Sequence, residues 1–97
     1  MDRASEKPYF ESCMAAAERG EPQALYDLGL IYSTGQGVEL DYVMAHKWFN
    51  LAAMRGIRRA TVDRAELAAD MTEEEVARAQ KLAREWVSNH GQSVARH

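Results

Sequence analysis

Histidine and cysteine are the side chains of this 97-residue chain that are best suited to metal binding or nucleophilic catalysis. His46, His90 and His97 are scattered, and none is followed four positions later by a second ligand, as a helical metal site requires. Cys13 has no basic neighbour that would activate its thiol. We therefore predict that His46 faces solvent, that Cys13 is a small buried hydrophobe, and that the chain has no catalytic, metal-binding or cofactor-binding residue.

Glycine and charged segments give no stronger sign of an enzyme. The GQG loop at residues 35–37 lacks the preceding strand and the third glycine of a dinucleotide-binding loop. The acidic run at residues 73–75 suits the positive end of a helix dipole. Four arginines at residues 55–64 would suit a phosphate or carboxylate, so a nucleic-acid-associated module is an alternative. The net charge of −3 does not favour nucleic acid as a partner.

Composition also bears on compartment and size. The chain is long enough for one domain, and its single cysteine cannot form an internal disulfide, which is typical of a reducing compartment. The first ten residues lack the apolar run of a secretory signal, and no segment approaches the roughly 18 apolar residues of a membrane span. We predict a cytoplasmic protein without a membrane partner.

Apolar residues recur at spacings of three and four along most of the chain, which predicts an all-α fold. Pro8 and Pro22 suit first helical turns, Gly20 and Gly56 suit helix ends, and Asp41 suits an N-cap. Thr72 and Glu75 have the spacing of a capping box. The predicted helices cover residues 8–19, 22–34, 41–56, 58–70 and 73–88.

A set of residues occurs twice at a constant offset of 36 positions. Such an offset predicts helix pairs that stack because each pair cannot bury its apolar face alone. Gly29 lies on the buried face of the second helix although a mid-helix glycine costs about 1 kcal/mol, so we predict a close approach of the third helix there. The repeated residues are Ala16, Ala17, Arg19, Gly20, Ala24 and Asp27, which recur as Ala52, Ala53, Arg55, Gly56, Ala60 and Asp63.

One set of spacings resembles the Sel-one-like repeat, a branch of the tetratricopeptide-like helical repeats. The residues that carry the resemblance are Ala24, Leu28, Gly29, Tyr32, residues 35–38, Asp41, Ala45, Trp48, Phe49, Ala52, Ala53 and Gly56. In the next unit Arg64, Ala65 and Ala68 replace the expected types. We predict a short α–α superhelix, or solenoid, of about five antiparallel helices.

This solenoid forms a single predicted domain at residues 8–88. It has a half repeat at 8–20, a complete repeat at about 21–56, a degenerate helix at 58–70 and a capping helix at 73–88. Residues 1–7 and 89–97 are predicted to be disordered.

The resemblance implies that the first helix of each pair lines a concave binding face, and therefore a protein-binding adaptor or scaffold that is not an enzyme. The expected partner is a protein or peptide, and the expected state is a monomer or weak homodimer. Three alternatives stay open: helix five covers Tyr26 and Leu30, helix five mediates dimerisation, or the chain is a non-catalytic accessory subunit of an enzyme. The predicted partner-binding residues are Gln23, Tyr26, Leu30, Ser33, Arg59, Val62 and Glu66.

Overall fold

The computed structural model describes the backbone of residues 2–95 and the side chains of residues 8–90. Within this part of the chain every regular element is a helix, which confirms the predicted all-α class. Helix α1 packs against α2, α2 against α3, and α3 against both α4 and α5. The helices are α1 (Asp2–Glu18), α2 (Pro22–Thr34), α3 (Tyr42–Met54), α4 (Arg58–Ala68) and α5 (Glu73–Ala95).

The helix starts use the side chains that the sequence indicated. Pro22 occupies the first turn of α2. The Asp41 carboxylate accepts a hydrogen bond from the Met44 amide at 3.1 Å, which caps α3. At α5 the Glu75 amide donates to the Thr72 hydroxyl at 3.0 Å, and the Thr72 amide donates to the Glu75 carboxylate at 2.9 Å. These contacts confirm the predicted N-cap and capping box.

The 36-residue offset is also visible in the backbone hydrogen bonds. Gly20 and Gly56 have φ angles of 79° and 96°, in the left-handed region that a side chain would strain. At both ends the glycine amide donates to the carbonyl three positions back, and the next amide to the carbonyl five positions back. Arg55 joins the two ends, since its Nη1 donates to the Gly20 carbonyl at 3.0 Å. Equivalent residues therefore perform equivalent structural roles.

Packing is closest where α2 meets α3. Gly29 is buried, and a Cβ atom added there would lie 2.9 Å from Cγ of Phe49 and closer still to two other atoms of that ring. Leu25, Leu28 and Trp48 are nearly inaccessible to solvent around this contact. The structure confirms the predicted close approach of the third helix at Gly29 and identifies the Phe49 ring as its neighbour.

Helix α5 lies against the side of α3 that α2 and α4 leave open. The rings of Trp86 and Trp48 meet edge to face with centroids 6.2 Å apart, a favoured aromatic geometry. Ala79 and Ala83 are buried on the same face of α5. This contact gives α3 a third helical neighbour and places α5 away from the outer face of α2.

The terminal helices are longer than the sequence analysis predicted. Helix α1 begins at Asp2, so Pro8 lies inside it, and α5 continues through residue 88 to Ala95. The prediction of disorder for residues 1–7 and 89–97 rests on the absence of an apolar stripe. An existing helix can be extended without such a stripe, because each added residue gains a backbone hydrogen bond. Residues 1, 96 and 97 lie outside the described part of the chain.

His46 is 3% exposed, so its predicted solvent-facing position is wrong. It lies on α3, which contacts α2, α4 and α5, and helix periodicity cannot reveal how many faces of one helix are covered. Burial lowers the pKa of His46, and the nearby positive charge of Arg64 acts in the same direction. The neutral imidazole is therefore the form that the folded chain favours.

Acidification should destabilise the chain through His46. Because the folded-state pKa lies below the usual value of about 6.5, the unfolded chain takes up a proton first, and the free energy of unfolding falls as the pH drops below about 6.5. Urea unfolding between pH 7.5 and 5.5 should show this loss in the parent and a smaller one in His46→Met. Equal pH dependence in the two proteins would contradict the assignment.

Candidate functional site

A groove lies between α2 and α4, on the side of the molecule that the repeat pattern assigned to partner binding. Its volume is about 250 Å³. Three of the predicted partner-binding residues, Leu30, Ser33 and Glu66, line it. The sequence did not assign the other lining residues to partner binding; they are Phe49, Asp63, Leu67 and Asp70.

The groove has an apolar floor and an acidic rim. Phe49 and Leu67 are buried, and Leu30 is partly buried. Glu66 and Asp70 are exposed, and Asp63 is half-buried between them and α2. The spacing of the three carboxylates places them on one side of α4 and its following turn, and this regular acidic spacing is a signal that the sequence contained.

Tyr26 is 6% exposed, so the prediction that it forms part of an exposed stripe is wrong. Its hydroxyl donates to Oδ2 of Asp63 at 2.5 Å, and its ring centroid lies 5.6 Å from that of Phe49. The Arg59 guanidinium lies 5.9 Å from the ring centroid. The cover therefore comes from α3 and α4, whereas helix five was the alternative considered from the sequence.

The contact with Asp63 gives Tyr26 a structural role at the edge of the groove. The hydrogen bond to Asp63, followed by burial, raises the pKa of Tyr26 above its usual value. The phenol therefore stays protonated near neutral pH and keeps donating to the carboxylate. This contact ties α4 to α2 and orients one of the rim carboxylates.

The remaining predicted residues are not among the described residues that line the groove. Gln23 is exposed, and its amide donates to the Asp27 carboxylate at 3.0 Å. Arg59 is exposed apart from its approach to the Tyr26 ring. Val62 is 57% exposed, one helical turn before Glu66 on α4.

Residues 22–57 match the family model described as Sel1 repeat. This segment is similar to a Sel1 repeat. The matched residues cover α2, α3 and the turn that follows, which confirms the resemblance predicted for about 21–56. Sel1 repeats are tetratricopeptide-like helical units that form solenoids and bind proteins, so the match supports a general protein-binding role. No curated protein sequence matches the chain.

The Sel1 repeat supplies only one wall of the groove. Leu30, Ser33 and Phe49 belong to it, whereas the acidic rim lies on α4, beyond the last matched residue. The repeat therefore provides the surface on which α4 is positioned, and the degenerate unit after it provides the charged side chains.

The arginine run starts at the end of the Sel1 repeat and does not form one continuous patch. Arg55 is bonded to the Gly20 carbonyl, Arg59 lies beside the Tyr26 ring, and Arg64 donates to the Asn50 side chain. These side chains point to different neighbours because α4 turns by about 100° per residue. The arrangement gives little support to a phosphate-binding surface.

Metal binding, thiol chemistry and membrane insertion each have structural requirements, and the described residues bear on all three. Within the described residues no three histidine, cysteine, aspartate or glutamate side chains are placed to hold a metal ion. Cys13 is 7% exposed, as predicted for a small buried hydrophobe, and burial raises the pKa of its thiol. None of the helices in the described part of the chain has the length and apolar character needed to cross a membrane.

Proposed function

We propose that the chain is an adaptor or scaffold module that holds a protein or peptide in the groove between α2 and α4. The observation that carries the proposal is a groove with a partly apolar lining, together with Val62, which is 57% exposed one helical turn before the lining residue Glu66. The proposed contact residues include four that the sequence predicted, which are Leu30, Ser33, Val62 and Glu66. Tyr26 acts indirectly, through its hydrogen bond to Asp63.

The role of a non-catalytic accessory subunit is compatible with the same groove, because it also requires only the binding of another protein. Dimerisation through α5 has less support, since the buried face of α5 already packs against α3. We further propose that the module acts as a monomer in the cytoplasm, where the free thiol of Cys13 would stay reduced.

Site-specific photocrosslinking tests the groove as a partner site. Val62 is replaced by benzoylphenylalanine, and the same group at Ala77, which is exposed on α5, serves as the matched control. In lysate of the source organism, irradiation should give a discrete crosslinked product from position 62, and excess unmodified protein should suppress it. Products of equal yield from both positions, or none from position 62, would contradict the proposal.

A further inference from the structure

Within residues 8–90, two of the groove carboxylates, Glu66 and Asp70, have no cationic side chain paired with them. Asp63, Glu66 and Asp70 are separated by three and four positions along α4 and its following turn, so their charges repel. Among residues 8–90, whose side chains the structure describes, no lysine or arginine lines the groove. Within residues 8–90, neither Glu66 nor Asp70 takes part in a hydrogen bond or ion pair with another side chain. A cation that entered the groove would relieve this repulsion and gain charge-assisted hydrogen bonds.

The floor of the groove is apolar and therefore favours an apolar group, whereas the rim favours a cation. Phe49 and Leu67 close its base, with Leu30 on the α2 side. Its volume of about 250 Å³ is below the roughly 300–1,000 Å³ of small-molecule pockets. A space of this size suits one or two side chains of a polypeptide, with an aliphatic group on the floor.

We propose that the occupant of the groove is a polypeptide segment in which a lysine or arginine lies beside an aliphatic residue. This inference rests on the proposed function and names the chemistry of its partner. The aliphatic side chain covers Leu30 and Leu67, and the cation lies between Glu66 and Asp70. The complementarity of charge decides against an acidic segment or a nucleic acid, because either would meet the carboxylate rim.

Asp63 contributes a carboxylate whose orientation is fixed by a hydrogen bond. Its Oδ2 atom accepts the Tyr26 hydroxyl, so the carboxylate is held in place before a partner binds. A group that is already oriented loses less conformational entropy on binding. The guanidinium of Arg59 lies 5.9 Å from the Tyr26 ring centroid, and Arg59 is not among the described residues that line the groove.

Selection from phage-displayed random dodecapeptides on the immobilised full chain tests the inference. The parent is compared with Glu66→Gln/Asp70→Asn, which neutralises the rim. The matched control is Glu11→Gln/Glu74→Gln, which removes two exposed carboxylates from α1 and α5. Parent and control should enrich peptides with a basic residue next to an aliphatic one, and the rim variant should not. Circular dichroism and thermal melting confirm that all three are folded.

The consensus peptide is then synthesised with a fluorescent label and titrated by anisotropy. The rim variant should bind it about tenfold more weakly or worse, as expected when a charged hydrogen-bonded contact is lost, while the control should match the parent. A basic consensus that binds the rim variant equally well would overturn the inference, as would an enriched consensus without basic residues. Both results would leave the proposed function standing. No enriched peptide at all would overturn the proposed function and the inference with it.

Discussion

Replacing Gly29 with alanine should lower the free energy of unfolding by about 2 kcal/mol or more. Alanine is the better helix former by about 1 kcal/mol, so helix propensity alone predicts the opposite sign. The added methyl would lie inside van der Waals contact with the Phe49 ring. Because Phe49 is buried between α2 and α3 and also closes the floor of the groove, the ring cannot move without disturbing both.

Urea unfolding of a double-mutant cycle isolates this contact. Phe49→Leu creates space, so Gly29→Ala should destabilise the Phe49→Leu protein less than it destabilises the parent. Equal effects in the two backgrounds would show that the loss of stability arises elsewhere. A Gly29→Ala protein as stable as the parent, or more stable, would contradict the close approach of α2 and α3.

Replacing Trp86 with alanine should be at least as costly, with an expected loss of about 3–5 kcal/mol in the free energy of unfolding. The Trp86 side chain is 7% exposed and meets Trp48 edge to face. It also stacks on His90 with centroids 3.9 Å apart. Without this indole, α5 would lose its principal contact with α3, and the face of α3 that carries Trp48 would become accessible to water.

Met54→Ala is the matched control for Trp86. Met54 lines the same cavity as Trp86 but is 61% exposed, so its truncation should lower the free energy of unfolding by less than about 1 kcal/mol. Thermal melting with light scattering separates the two roles considered for α5. A cap predicts a monomeric parent and a strongly destabilised Trp86→Ala. A dimeric parent that becomes a stable monomer on this substitution would instead identify α5 as a dimerisation helix.

The degenerate unit after the Sel1 repeat explains why the groove is acidic and small. Where a regular unit would have leucine, glycine and tyrosine, α4 has Arg64, Ala65 and Ala68, so it has few large apolar side chains to bury. Ala65 is exposed, whereas its counterpart Gly29 in the preceding unit is buried. Helix α4 instead attaches to α2 through the bond between Tyr26 and Asp63 and uses Leu67 at the floor. The proposed binding surface thus lies where the repeat loses its regularity.

Local sequence determined the helices, their caps and the repeat. Asp41, Thr72 and Glu75 act within four residues of their own positions, so their hydrogen bonds follow from the sequence alone. The 36-residue offset predicted matching helix ends at Gly20 and Gly56, and these ends also form through hydrogen bonds between residues close in sequence. Gly29 was interpretable because a mid-helix glycine on a buried face needs a compensating contact.

The tertiary structure alone decided which faces are covered and where the groove lies. Periodicity identifies one apolar face for each helix, but α3 contacts three other helices, and this is why His46 is buried. Tyr26 has the amphipathic side chain of a surface residue, yet Asp63, distant in sequence, supplies its hydrogen-bond partner. The acidic rim faces an apolar floor only because α4 folds back beside α2. The helices and caps were predictable because they depend on residues close in sequence, whereas the position of the groove depends on contacts between residues far apart in the sequence.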